Sequence, residues 1–222
     1  MKRSHRLILL TIVPSLLWLG ILKTRALWIN PYCGNLPEKC VTDAVNSFDR
    51  PAIYFDSGGH DTLSFVSQYA AGAIGLLVPL FLILKRNRQQ KNAALFDHFL
   101  RFVQITVWNG FFLELFRVIF QRPRPFVYLN PSDYGKHLSH YTSFYSGHTS
   151  FTAAACLIGF LSLRSLDAPK TWTRAYSLIA ILFIFTTAYT RVMAGRHFPS
   201  DVLAAILAGF LVAFGVNRVN PL

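Results

Sequence analysis

The sequence predicts an all-α polytopic membrane protein, six transmembrane helices in a bundle, and three observations carry the prediction. Apolar segments recur at 7–22, 63–84, 102–120, 147–163, 175–193 and 202–216, separated by polar, proline-bearing or basic stretches. Several approach the ~20 residues that a helix needs to cross a hydrocarbon core of about 30 Å, though the fourth and sixth are short. Only 14% of the 222 residues are charged and 53% are hydrophobic, against roughly 25% charged in soluble domains. The basic residues, finally, cluster between the apolar segments.

That clustering decides what the net charge of +12 means. A basic face would suit nucleic acid, but the charge is dealt out by loop, so no nucleic-acid partner is expected. Lys2, Arg3 and Arg6 precede the first segment; "KRNRQQK" at 85–91, "RSLDAPKTWTR" at 164–174 and Arg218 supply the rest. Six crossings put all four sites on one side, the positive-inside pattern, with both termini cytoplasmic. The other side holds Arg117, Arg122, Arg124, Arg191 and Arg196, an excess that needs its own explanation.

Taken in order, the first segment reads as an uncleaved anchor, because no small-x-small site follows Leu22. An external loop, 23–62, comes next, rich in turn formers. Its Cys33 and Cys40 are either a short disulfide loop or two free thiols. Its "SGGH" lacks accompanying arginines, so His60 reads as a loop histidine. The third segment is interrupted by Glu114 and Arg117, whose i,i+3 spacing lets them meet on one helical face. His137 and His140 lie in the loop before the fourth segment, while His5 and His98 sit near the cytoplasmic side without a constellation. Cys156, inside the fourth segment, reads as packing.

Three short stretches then fall on the external side. "RVIFQRPRP" (117–125) ends the third segment, "YSGHTS" (145–150) opens the fourth, and "TRVMAGRHFPSD" (190–201) joins the fifth to the sixth. Arginine suits a tetrahedral oxyanion because its planar fork donates two parallel hydrogen bonds. Pro123 and Pro125 end the helix before Arg124, leaving that residue on a stiff exit. Ser146 and Gly147 stand where a helix N-terminus offers free N–H groups and positive potential to an anion. His148 falls in that first turn. Asp201, four residues after His197, can orient its ring and stabilise a cation formed in reaction. Each motif alone has a bland alternative: a solvated turn, a helix cap, a satisfied His–Asp pair. Two histidines, one aspartate and three arginines facing one compartment are hard to explain as packing.

The three stretches resemble the motifs of the type 2 phosphatidic acid phosphatase superfamily, which includes bacterial lipid phosphatases and vanadium haloperoxidases. Its K-x6-R-P appears as Arg117-x6-Arg124-Pro125, its P-S-G-H as Tyr145-Ser146-Gly147-His148, and its S-R-x5-H-x3-D as Thr190-Arg191-x5-His197-x3-Asp201. Arg117, Tyr145 and Thr190 depart from the pattern, and the first swap could alter substrate preference. The resemblance implies one membrane-embedded domain over 1–222, with its motif-bearing core at 117–201. It implies His197 as nucleophile, Asp201 on the other ring nitrogen, and His148 as general acid and then base. Arg117, Arg124, Arg191, Ser146 and Gly147 would cradle the phosphoryl oxygens. No metal or other cofactor is expected, and Arg122 and Arg196 are left with headgroup attraction. The implied activity is hydrolysis of a lipid phosphate or pyrophosphate, of the phosphatidate, phosphatidylglycerol phosphate, polyprenyl pyrophosphate or lipid A type. Lipid-to-lipid phosphotransfer would use the same residues, and noncatalytic binding of a lipid phosphate is the alternative from another class.

Overall fold

The computed structural model describes residues 3–221. The side chains of residues 1–6 and 88–90 lie outside that description, and with them Lys2, Arg3, His5, Arg6 and Arg88. The long helices are α1 (Arg3–Thr24), α2 (Gly58–Leu84), α3 (Arg88–Phe120), α4 (Gly147–Ser165), α5 (Lys170–Met193) and α6 (Pro199–Val219), and no strand occurs among the described residues. Each helix outruns its apolar segment, because hydropathy marks the middle of a helix while backbone hydrogen bonding continues into polar ends. The external connection is accordingly shorter than 23–62, since Gly58–Thr62 already belong to α2.

All of these helices except α4 are long and apolar enough to cross a membrane. The exception has a packing reason. Helix α4 makes its most extensive contacts with α6 and α2, and touches α3 and α5 as well. Surrounded by protein, it has little use for large lipid-facing side chains. Its buried positions are mostly small, including Ser150, Ala153, Ala154, Ala155 and Gly159, which lets neighbouring backbones approach closely. The peripheral helices show the reverse composition. Leu16 on α1, Leu178 and Phe185 on α5 and Leu211 on α6 stand exposed on the outside of the bundle, where hydrocarbon would cover them.

Several polar groups within the bundle are paired across helices, as a low-dielectric interior favours. Arg101 donates to Ser162 Oγ at 3.2 Å and to Asn217 Oδ1. His98 Nε2–H donates to the Leu76 carbonyl at 2.9 Å, leaving Nδ1 to accept from the Ser162 hydroxyl at 3.2 Å. His98 therefore does belong to a constellation, one that ties α2, α3, α4 and α6 together. At that end the two short links meet, with Arg86 donating to the Leu166 carbonyl at 3.4 Å.

The three longer connections gather at the opposite end. Val45, Ala52 and Ile53 of the first pack on Phe198 of the last. Cys33 and Cys40 are joined in a disulfide, and both are buried against Val127 and Tyr141 of the middle connection.

Candidate active site

The second motif begins at a helix cap. Ser146, in extended backbone, is the N-cap of α4, and its Oγ accepts from the Thr149 hydroxyl at 3.0 Å and the Thr149 N–H at 3.5 Å. The N–H groups of Gly147 and His148, ahead of Thr149 in the same turn, have no carbonyl a turn earlier to bond and point out of the helix end. A side chain at Gly147 would strike Leu113 of α3, its Cβ only 2.7 Å from Cδ2, and would stand 3.6 Å from Arg117 Nη2. Glycine thus brings the α4 amides beside the Arg117 guanidinium. His148 follows, half-buried, its ring edge-on to Phe65 at 4.4 Å and its Nε2 without a partner.

The first motif is an extended strap laid along the second. With Pro123 and Pro125 lacking N–H groups, Arg122 and Arg124 make the backbone bonds. Ser143 N–H donates to the Arg122 carbonyl at 3.1 Å, and Arg124 N–H to the His140 carbonyl at 2.8 Å. Arg124 also donates through Nη2 to Thr142 Oγ1 at 3.2 Å. Glu114 holds Arg117 at 2.7 Å, as the i,i+3 spacing predicts, and holds Arg25 at 3.0 Å.

The third motif turns on Gly195, whose φ of +64° lies in the left-handed region. That turn ends α5 and delivers His197 to the interior, 1% exposed. His197 Nδ1–H donates to the Ser143 carbonyl at 2.7 Å. A carbonyl can only accept, so Nδ1 carries the proton and Nε2 the lone pair. Burial, followed by the fields of Arg191, Arg124 and Arg117, pushes the His197 pKa well below the ordinary histidine range. The ring is therefore neutral, and three motif arginines are close enough to act on it.

Asp201 is not the group on the second ring nitrogen. It lies 3.9 Å from Nδ1, because its oxygens are taken elsewhere. Oδ2 accepts from the Ser143 hydroxyl at 2.6 Å and from the Phe198 N–H at 2.9 Å, capping α6, while Oδ1 accepts from Arg122 at 2.5 Å. Asp201 thus reaches His197 through Ser143. Arg122 has more than headgroup attraction to do: it also donates to Asp49 at 2.8 Å and to Ser200 at 2.8 Å, and lies 4.1 Å over the Phe198 ring. Arg196, too, is engaged, donating to Asp61 at 3.1 Å.

Sequence reasoning missed three residues. Asp61, one position after the dismissed "SGGH", accepts from Arg191 as well as Arg196. The missing arginines reach it from α5 and the turn that follows. His60 itself stays outside the cluster, capped by Ser57 at 2.7 Å. Asp49 binds Arg122 and Ser200, and only its placement in a turn-rich loop could have marked it. Ser143 was visible as one of the hydroxyls before Ser146, but its role depends on which helix lies opposite. The Nε atoms of Arg117, Arg124 and Arg191 are all buried without a partner, so the cluster retains donors for an anion. Among the described residues no three His, Cys, Asp or Glu side chains gather as a metal ion would need.

A family model described as the PAP2 superfamily matches residues 98–221, which contain all three motifs. Undecaprenyl-diphosphatase BcrC of Bacillus subtilis (strain 168) is 25% identical over 159 residues, covering 71% of this chain and 73% of that protein. No solved structure matches the chain significantly. With the match spanning more than half the chain, the protein belongs to the PAP2 superfamily and is a membrane-embedded lipid phosphatase.

Proposed function

We propose that the protein hydrolyses a lipid phosphate or pyrophosphate at the external membrane face, without metal, through a phosphohistidine on His197. The observation that carries this reading is the His197 ring: neutral, held by Ser143 through Nδ1, and set among Arg117, Arg124 and Arg191. Nε2 attacks phosphorus, and the bond to the lipid oxygen breaks as His148 gives that oxygen a proton. His148 then takes a proton from water, the hydroxide attacks phosphorus, and the P–N bond breaks to release inorganic phosphate. The three arginines, the Ser146 hydroxyl and the Gly147 N–H balance charge on the equatorial oxygens throughout. Loop charge supports the external placement, because Lys85 and Arg86 in one short link, and Arg164 and Lys170 on the helix ends that flank the other, lie at the far end of the bundle from the site.

The test is phosphate release from a panel of lipid phosphates and pyrophosphates by the detergent-purified protein, with and without chelator. Release should survive chelation and fall by about 10³-fold or more in His197→Ala. A rapid-quench pulse should trap acid-labile phosphate on the wild-type protein and none on His197→Ala. Release that the His197 change leaves intact would remove the phosphohistidine.

A further inference from the structure

The first motif holds a carboxylate that works against its own chemistry. Glu114, one turn before Arg117 on α3, has a side chain only 4% exposed, and its Oε1 accepts from Arg117 Nη1 at 2.7 Å. A full negative charge so close offsets much of the guanidinium's field and opposes an anion bound there. Glutamine would orient Arg117 through the same hydrogen bond without that opposition, so the carboxylate calls for a compensating charge.

That charge comes from outside the three motifs. Arg25 opens the short 3-10 turn Arg25–Leu27 that follows α1, and its Nη1 donates to Glu114 Oε2 at 3.0 Å. Each guanidinium thus has its own carboxylate oxygen, and two positive charges against one negative leave the group with the charge of Arg117 alone. Contacts on both sides of the pair hold Arg25 in place. One turn before Glu114, a Cβ at Gly110 would run into the Trp18 ring, so glycine lets α1 approach α3 closely. Beyond Arg117, Gln121 clasps the chain that follows Arg25, its Nε2 donating to the Trp28 carbonyl at 2.9 Å and its Oε1 accepting from the Asn30 N–H at 2.7 Å. Asp61 repeats the arrangement at the third motif: one oxygen accepts from Arg191 and the other from Arg196, which again lies outside the motif.

We infer that Arg25 is a positioning residue for the phosphate site: by taking the second oxygen of Glu114, it lets that carboxylate fix Arg117 without removing the positive charge that a phosphoryl group requires. Helix α1, which packs chiefly on α3, thereby contributes to turnover as well as to anchoring. This inference rests on the phosphatase reading above.

The experiment is a charge-balance cycle on the full-length protein in detergent, with dioleoyl phosphatidate and farnesyl diphosphate as probes. Arg25→Gln should lower kcat/KM by about tenfold or more, the scale of one weakened charge-assisted hydrogen bond, and Arg25→Lys, which keeps the charge, by less. Adding Glu114→Gln to Arg25→Gln returns the group to a single positive charge. The amide at 114 can still accept from Arg117 and can donate to the amide at 25, so the double variant should recover to within about threefold of wild type. A purely structural tie between α1 and α3 would leave the double variant no better than Arg25→Gln. Glu114→Gln alone removes the opposing charge, and should tighten competitive inhibition by inorganic phosphate by about threefold or more; this arm stands whether or not Arg25→Gln folds. Wild-type kcat/KM in Arg25→Gln, a double variant that fails to recover, or phosphate inhibition unchanged in Glu114→Gln would each overturn the inference and leave the phosphatase reading standing. No release from either probe by the wild-type protein would sink both.

Discussion

At the scale of single residues, the cluster works by keeping one ring neutral and several arginines charged around it. Burial and the neighbouring arginines, Arg191 foremost, lower the His197 pKa. The lone pair that the proposed attack needs is therefore present at neutral pH and persists well below the ordinary histidine range. Removing one arginine should let the pKa climb back, so Arg191→Gln should move the acid limb of kcat/KM to higher pH as well as lowering its plateau. A pH–rate profile of the two proteins checks the direction, and an acid limb that stays put would contradict it. Arg122 is a positioning residue, acting on Asp201 and through Ser143 on His197. Lysine cannot bridge two carboxylates and a hydroxyl as a guanidinium does. Arg122→Lys should lower kcat by about tenfold or more, with KM little changed.

At the scale of elements, three junctions set the geometry: the cap of α4, the proline strap after α3 and the turn between α5 and α6. The last is the most sensitive. At Gly195 a Cβ would meet both the left-handed backbone and the carbonyl of Phe55, so Gly195→Ala should destabilise by at least the roughly 1–2 kcal/mol of a forced left-handed residue. A lowered thermal midpoint in detergent, accompanied by a disproportionate loss of turnover, is the expected reading. The first connection is fastened to the site by Asp49. Burial opposes its ionisation, but hydrogen bonds from Ser200 and Arg122 outweigh that and hold its pKa below the ordinary aspartate value. A depressed carboxylate stabilises the fold above its unfolded pKa and loses that contribution as pH falls through the folded one. Asp49→Asn should therefore lower the thermal midpoint at neutral pH, with the gap to wild type closing in strong acid. A gap that is constant with pH would show that ionisation is not the cause.

At the scale of the whole molecule, a lipid-facing bundle carries its chemistry at one end, under a cap built from three connections. The Cys33–Cys40 disulfide lies beneath that cap, and Cys33 N–H donates to the Tyr141 hydroxyl at 2.8 Å. Closing so short a loop stabilises by roughly 2–3 kcal/mol in the chain-entropy picture. Cys33→Ser with Cys40→Ser should lower the thermal midpoint and raise protease cleavage between α1 and α2, while cleavage in the short links at the other end stays unchanged. Limited proteolysis followed by fragment mass analysis distinguishes the two ends.

Much of this was legible in the sequence for a physical reason. Membrane solvation writes itself into composition, so the apolar segments, the basic links and the polar stretches at one face could be read directly. Motif residues that act through fixed local spacing were readable too: Ser146 before its helix, and Glu114 three residues before Arg117. Partnerships across helices were not. Asp61 stands 130 residues from Arg191 and Asp49 stands 73 from Arg122, and no local pattern records which helix will lie opposite. For the same reason Asp201 looked like the partner of His197 from its spacing of four, whereas packing gave that ring nitrogen to the Ser143 carbonyl. The sequence by itself determined that the chain is a helical membrane protein with its motif arginines and histidines gathered toward one side. Only the tertiary structure decided which carboxylate holds which arginine, and which carbonyl holds the His197 ring, because both depend on the distances between packed helices.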